Sequence, residues 1–162
     1  MRAGPAAATA IGLAIGVLLP TVPCRSVIAR DRAALWLGPD EWLIYAPENS
    51  AELAAMARQA TTALAASLVD VSHRTEVLEI AGPDAAWCLN GFCALDLDPR
   101  VFPVGMCTRT LLGKAPVILW RLSGDIFHVD VARSLVPYIW ACLEESRREL
   151  ADPPDTQVVT LV

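Results

Sequence analysis

The stretch from Leu68 to Gly91, LVDVSHRTEVLEIAGPDAAWCLNG, limits the folds open to this chain more than any other. An apolar strand start runs into a polar corner at Ser72-His73-Arg74, then a second strand, then a short helix. In Leu78-Glu79-Ile80 the apolar residues face one way and the acid the other, as on a half-buried strand. Gly82-Pro83-Asp84 opens the helix and Asn90-Gly91 closes it, since proline suits a first helical turn and glycine the residue past the end. Ala86 and Leu89 are expected to face the sheet, with Trp87 and Cys88 on other sides.

The flanking sequence extends the pattern in both directions. Ahead of it lies an apolar run from Ala6 to Leu19. Ser26 to Ala29, Ala33 to Leu37 and Trp42 to Ala46 then read as three short strands. Asp31-Arg32 and Gly38-Pro39-Asp40 supply the turns between them. Asn49 to Ser67 reads as an amphipathic helix, capped by Asn49 with Glu52 completing a capping box. Its apolar stripe is Leu53, Met56, Ala57, Ala60, Leu64 and Leu68. Behind Gly91, Asp96, Asp98 and Pro99 mark an irregular loop anchored by Phe102-Pro103.

Three strands follow: Met106 to Leu112, Pro116 to Leu122 and Asp125 to Ala132, the last two linked at Ser123-Gly124. The run Val117-Ile118-Leu119-Trp120 predicts burial on both faces. In the last strand Phe127, Val129 and Val131 point inward, and His128 and Asp130 outward. Ser134 is the expected cap of a final helix that carries Pro137 in its first turn. Leu135, Ile139, Cys142 and Leu143 form that helix's buried stripe, with Glu144 and Arg148 paired on the wet side. Hairpins broken by single helices predict an α+β fold of antiparallel sheets with helices packed on one side. The domain spans 6–150, open to division into lobes 6–67 and 68–150. Beyond it lies a tail, 151–162, read as mobile because Asp152-Pro153-Pro154-Asp155 breaks regular structure.

Composition excludes several classes of function. The net charge is −5 and the pI about 4.9, with no Lys/Arg run, which argues against nucleic acid. The apolar run near the N-terminus is too short to span a bilayer. It resembles a signal peptide in outline, and a secreted interaction domain is the reading that outline would support. Five cysteines with no CxxC and no zinc spacing argue against a disulfide scaffold or metal site. No GxGxxG and no P-loop is present, so nothing indicates a nucleotide held by this chain alone. Hydrophobic residues make up 54% of the chain and charged ones 19%, an apolar excess that a partner interface would absorb.

No residue set reads as a catalytic constellation. Ser72 and His73 are adjacent on an extended segment and point to opposite faces, so a triad with Asp70 does not form. Cys107 and Arg109 share a face of one strand, but without a pocket or a resolving cysteine the pair carries no chemistry. Arg74 and Arg109 read either as surface salt bridges or as an anion or inter-subunit contact, because an arginine's fork can grip a carboxylate or phosphate. Trp36 and Trp42, flanking a hairpin turn, are either half-buried aromatics or docking anchors. With His73 these make five candidate interface residues: Trp36, Trp42, His73, Arg74 and Arg109.

Asp70-Val71-Ser72-His73, followed by an apolar strand into Gly82-Pro83-Asp84-Ala85, resembles the folate-domain motif of glycine-cleavage aminomethyltransferases. Leu35-Trp36-Leu37-Gly38-Pro39-Asp40-Glu41-Trp42-Leu43 comes before it. Leu95-Asp96-Leu97, Phe102-Pro103 and Gly105 come after. In that order they resemble the gamma subunits of heterotetrameric sarcosine oxidases, over roughly residues 10–148. The resemblance implies a helix ending in Gly16-Val17-Leu18-Leu19-Pro20, and more sequence ahead of that helix, so that the start reads as truncated. It also implies a folate-domain shape without its reactive carboxylate, since Leu111 to Val117 carries Lys114 and no acid. The implied role is a structural, non-catalytic subunit beside alpha, beta and delta partners in the cytoplasm. FAD, FMN, NAD and tetrahydrofolate would then lie on other chains, and no cofactor, metal or catalytic residue on this one. The alternative is a stand-alone folate-binding or aminomethyl-transfer protein.

Overall fold

The computed structural model describes residues 1–47, 50–150 and 157–161. The chain folds as two compact units, Met1–Asp70 and Val71–Val162, and the boundary falls inside the Asp70-Val71-Ser72-His73 string. Both are α+β, with all-antiparallel sheets.

The first unit contains β1 (Arg2–Ala3), α1 (Pro5–Ile15), β2 (Ser26–Ala29), β3 (Arg32–Gly38), β4 (Glu41–Tyr45), α2 (Ser50–Ala60) and β5 (Ala66–Ser67), with sheet order β2-β3-β4-β1-β5. Helix α1 starts at Pro5 and stops at Gly16, which takes φ +71° as a left-handed cap. The Arg32 side chain donates to the Ile15 carbonyl, so a cation sits where the helix leaves its last acceptors unpaired. Gly12 lets the chain fold back on its own helix: a Cβ there would lie 3.1 Å from the Val17 carbonyl oxygen and 3.3 Å from the Leu18 Cα. Ala7, Ala8, Ile11 and Ile15 pack with Ala34, Trp42 and Ala57 as the unit's core. The β2–β3 turn is Arg30-Asp31, one residue earlier than expected, with Arg30 at φ +58°.

Two features of this unit differ from the sequence reading. Strand β1 has no counterpart there, and it forms because the N-terminal residues fill the gap between β4 and β5. The second helix ends at Ala60, not at Ser67. Thr61 turns its hydroxyl onto the carbonyls of Ala57 and Arg58, and Ala66–Ser67 pairs with β1. Sheet pairing therefore outweighs the helical propensity of that segment, and Leu64 ends up exposed. The expected cap Asn49 lies outside the described residues.

The second unit contains β6 (Thr75–Ala81), α3 (Ala85–Asn90), β7 (Cys107–Leu112), β8 (Ala115–Arg121), β9 (Ile126–Ala132), α4 (Val136–Arg148) and β10 (Gln157–Leu161), in sheet order β10-β6-β9-β8-β7. Register puts Leu78, Ile80, Val117, Leu119, Phe127, Val129 and Val131 on one face. There they share a core with Ala85 and Leu89 of α3 and Ile139 and Leu143 of α4. Cys88 is buried, not turned aside. That burial, reinforced by the Asp84 charge and opposed by Arg147, raises its thiol pKa. Gly91 closes α3 in the right-handed region, φ −58°. Its lack of a Cβ serves close approach instead, since a Cβ would lie 2.4 Å from Ser146 Oγ on α4. A 3₁₀ turn, Arg133–Leu135, leads into α4, which has no side-chain cap from Ser134. On α4 the ion pairs are Arg147–Glu144 and Arg148–Glu145, not Glu144–Arg148. The tail expected to be mobile instead supplies β10, which pairs with β6 from Gln157↔Ala81 to Leu161↔Val77; 151–156 and 162 lie outside the described residues.

Candidate functional site

Strand alternation sends Glu79, Trp120, His128 and Asp130 to the face of the second sheet opposite its helices. His128 Nε2 lies 3.0 Å from Glu79 Oε2, and the Trp120 ring meets the imidazole edge-on at 5.4 Å. The Thr75 hydroxyl donates to Asp130 Oδ2 at 3.3 Å. Asp130, read from the sequence as pointing out to a wet surface, is buried, and so is Trp120. These groups bridge neighbouring strands. A carboxylate and an imidazole side by side can move a proton only with a substrate in reach; here Glu79 Oε2 and His128 Nε2 are turned toward one another across the ladder.

A second cluster lies on the core side. Arg121 closes the apolar run of β8 and is 4% exposed. Its Nη1 donates to the carbonyls of Leu97 and Phe102, each at 3.0 Å. Its Nε and Nη2 reach Ser123 and Gly124 carbonyls, and its guanidinium lies 4.9 Å over the Phe127 ring. The Gly105 amide also donates to the Arg121 carbonyl at 2.8 Å. One side chain thus fixes the 97–105 loop and the β8–β9 link, Leu122 to Asp125, which is longer than a two-residue turn because it wraps the guanidinium. At the surface of that loop Arg100 clasps Asp98 at 2.9 Å. That clasp holds the Asp98 carboxyl down at about 2, from an ordinary 3.8.

The five residues singled out from sequence fall in both units, Trp36 and Trp42 in the first and His73, Arg74 and Arg109 in the second. Trp42 is 3% exposed and its indole N–H donates to the Pro20 carbonyl at 2.8 Å, so its side chain belongs to the first unit's core and offers a partner little to grip. Trp36 stands opposite it on the β3–β4 ladder and is half-buried. His73 and Arg74 sit on the exposed 72–74 turn, where the Arg74 carbonyl accepts from the Arg133 amide. Arg109 is exposed on β7, on the same face as the buried Cys107. The Gly113-Lys114 turn is covered by Tyr138, whose hydroxyl accepts from the Lys114 amide at 3.1 Å. Sequence reasoning passed over Arg121 and the Glu79–His128 pair. The signal for Arg121 was available: alternation places it on the Val117 and Leu119 side, a charge aimed into a core. The Glu79–His128 pair needs register, which sequence does not state.

Among the described residues no three His, Cys, Asp or Glu side chains gather as metal ligands. No helix among them is long and apolar enough to cross a membrane. A shallow cleft of about 200 Å³ is lined by Gly4, Pro5, Ala6, Ala7, Leu64 and Ala65. None of those side chains carries a polar atom to orient a pteridine or flavin ring, so they do not fit such a cofactor.

Residues 1–149 match the family described as Sarcosine oxidase, gamma subunit family. Sarcosine oxidase subunit gamma from Corynebacterium sp. (strain P-1) is 36% identical over 146 residues, covering 90% of this chain and 71% of that one. The subunit of the same name from Arthrobacter sp. is 39% identical over 130 residues, covering 78% and 62%. A chain of the heterotetrameric sarcosine oxidase from Corynebacterium sp. U-96, solved in complex with pyrrole 2-carboxylate, superposes with TM-score 0.86 and 33% identity, covering 93% of this chain and 80% of that one.

Proposed function

This chain belongs to the sarcosine oxidase gamma subunit family, and we propose from that membership that it is the bracing, non-catalytic gamma subunit of a heterotetrameric sarcosine oxidase. The single observation carrying the reading is the superposition, TM-score 0.86 over 93% of the chain, on a chain of such an enzyme. Its partners are alpha, beta and delta subunits in the cytoplasm. The assembly demethylates sarcosine oxidatively to glycine, giving hydrogen peroxide with formaldehyde, or with methylene-tetrahydrofolate when folate is present. FAD, FMN, NAD and tetrahydrofolate sit on the partner chains.

Acid–base catalysis needs a titratable group in reach of substrate. Here the two histidines are divided between an exposed turn and a strand-bridging contact with Glu79. The apolar cleft holds no donor or acceptor side chain. What the chain does offer is rigid surface: an arginine-pinned loop and an exposed corner bearing His73 and Arg74.

The test is co-expression with alpha, beta and delta subunits. One yellow complex oxidising sarcosine should co-purify with this chain, and His73→Ala with His128→Gln should leave its kcat within about twofold, because neither side chain meets substrate. A chain that elutes apart from the other three, or a drop in kcat of about a hundredfold, would refute the reading. Isolated, the chain should give no heat of binding with tetrahydrofolate in titration calorimetry; a measurable heat would favour a stand-alone folate protein.

A further inference from the structure

Asn90-Gly91 ends α3 and is also the chain's one asparagine–glycine step. In such a step the main-chain nitrogen of the glycine can attack the asparagine Cγ and close a five-membered ring. A glycine has no Cβ to crowd that approach. Both residues are exposed, so water reaches the reacting atoms. The fold restrains the step in two ways. The Gly91 N–H donates to the Trp87 carbonyl at 3.3 Å, with Gly91 at φ −58° and ψ −29°. Asn90 Nδ2 donates to the Leu95 carbonyl at 3.3 Å, which ties down the group that has to leave. Ring closure needs both bonds broken and Asn90 rotated out of its helical conformation. Both are long for N–H···O bonds, which usually end at about 3.2 Å. They also lie at the end of a helix of only six residues, and helix ends fray. Cys88 and Leu89 are fully buried, which anchors α3 and confines fraying to its last turn.

We propose that Asn90 is a site of spontaneous deamidation, gated by opening of the last turn of α3. In the open turn the Gly91 nitrogen gives its proton to hydroxide and bonds to Asn90 Cγ. The Cγ–Nδ2 bond breaks and ammonia leaves, with no change of oxidation state. Water then opens the ring. Cleavage of the new bond to Cγ gives aspartate, and cleavage of the original main-chain bond gives isoaspartate. Either product releases the segment that follows α3. A carboxylate cannot donate to the Leu95 carbonyl, and it adds negative charge beside the helix's last carbonyls. Isoaspartate also lengthens the main chain by a methylene. That displaces Gly91, whose approach to Ser146 Oγ on α4 leaves no room even for a Cβ.

Peptide mass spectrometry of the full chain, incubated at mildly alkaline pH, tests this through loss of ammonia and gain of water at Asn90. Trypsin places Asn90 and the chain's other asparagine, Asn49, on different peptides. Native chain should convert about tenfold or more slowly than chain unfolded in guanidinium chloride, because the rate follows the fraction of open turn. Ala86→Gly weakens α3 without touching the reacting atoms. It should speed native conversion about fivefold and leave the rate in guanidinium unchanged. Trp87→Gly, at a residue 48% exposed, repeats the test if Ala86→Gly does not fold. Converted chain should exchange the Phe92 and Cys93 amides faster, since both bond to the Leu89 carbonyl. Asn90 left intact in guanidinium overturns the site. Equal native and unfolded rates overturn the gate, and so does a native rate that the folded glycine variant leaves unchanged.

Discussion

Replacing Arg121 with methionine should loosen the second unit by about 3 kcal/mol, because two fully buried carbonyls lose their donor. The Leu97 and Phe102 oxygens accept from the same Nη1 in the interior, and a buried acceptor left unpaired costs about 1–3 kcal/mol. The Ser123 and Gly124 oxygens are only part-buried, so water can replace the guanidinium there at little cost. The stacking over Phe127 adds about 1 kcal/mol. Against this, methionine removes a desolvated cation, which returns part of the loss. Urea unfolding of the full chain, followed by tryptophan fluorescence and far-ultraviolet circular dichroism, reads the change as a lower midpoint at unchanged slope. Hydrogen exchange localises it: amides of Val101, Phe102 and Gly105, bonded to Asp98 and Arg121 carbonyls, should exchange faster, and those of β6 and β9 less so. Arg121→Lys should recover less than half, since one ammonium cannot span four carbonyls. A methionine variant within about 0.5 kcal/mol of wild type, with loop exchange unchanged, would refute the assignment of the loop's order to this side chain.

Two other perturbations have definite expected outcomes. Asp98 should titrate at about 2 by nuclear magnetic resonance. A depressed carboxyl gives stability that is present above the unfolded value and lost as pH falls through the folded one, so the clasp should open between about pH 4 and pH 2. Arg100→Ala should return the midpoint toward 3.8, and a wild-type midpoint near the ordinary value of about 4 would show that Arg100 does not hold the carboxyl. Gly113→Ala should destabilise the chain by about 1–2 kcal/mol. Residue 113 has φ +58°, and an added Cβ would lie 2.3 Å from the Tyr138 hydroxyl oxygen. Gly124→Ala, with nothing within 4 Å of the new atom, is the control, and equal melting temperatures for the two variants would contradict the steric argument.

Most elements and their sides were legible in the order of residue types. Val117 and Leu119 face the core with Phe127, Val129 and Val131 because a strand's side chains alternate whatever lies around it. Gly82 and Pro83 punctuate the chain ahead of α3 through φ preferences that are properties of the residues themselves. The family motifs around Trp36 and His73 were equally legible, being strings of residue types. Packing in three dimensions settled what each exposed or charged group meets. The segment from Thr61 to Ser67 shows the point: its composition suits a helix, and only the neighbouring β1 edge draws it out of one. Arg121 and Glu79 read alike as charges in strands, yet one reaches four carbonyls across a loop and a turn, and the other pairs with a histidine 49 residues away. Long-range register and the distance between non-adjacent segments set those contacts, and local sequence carries neither.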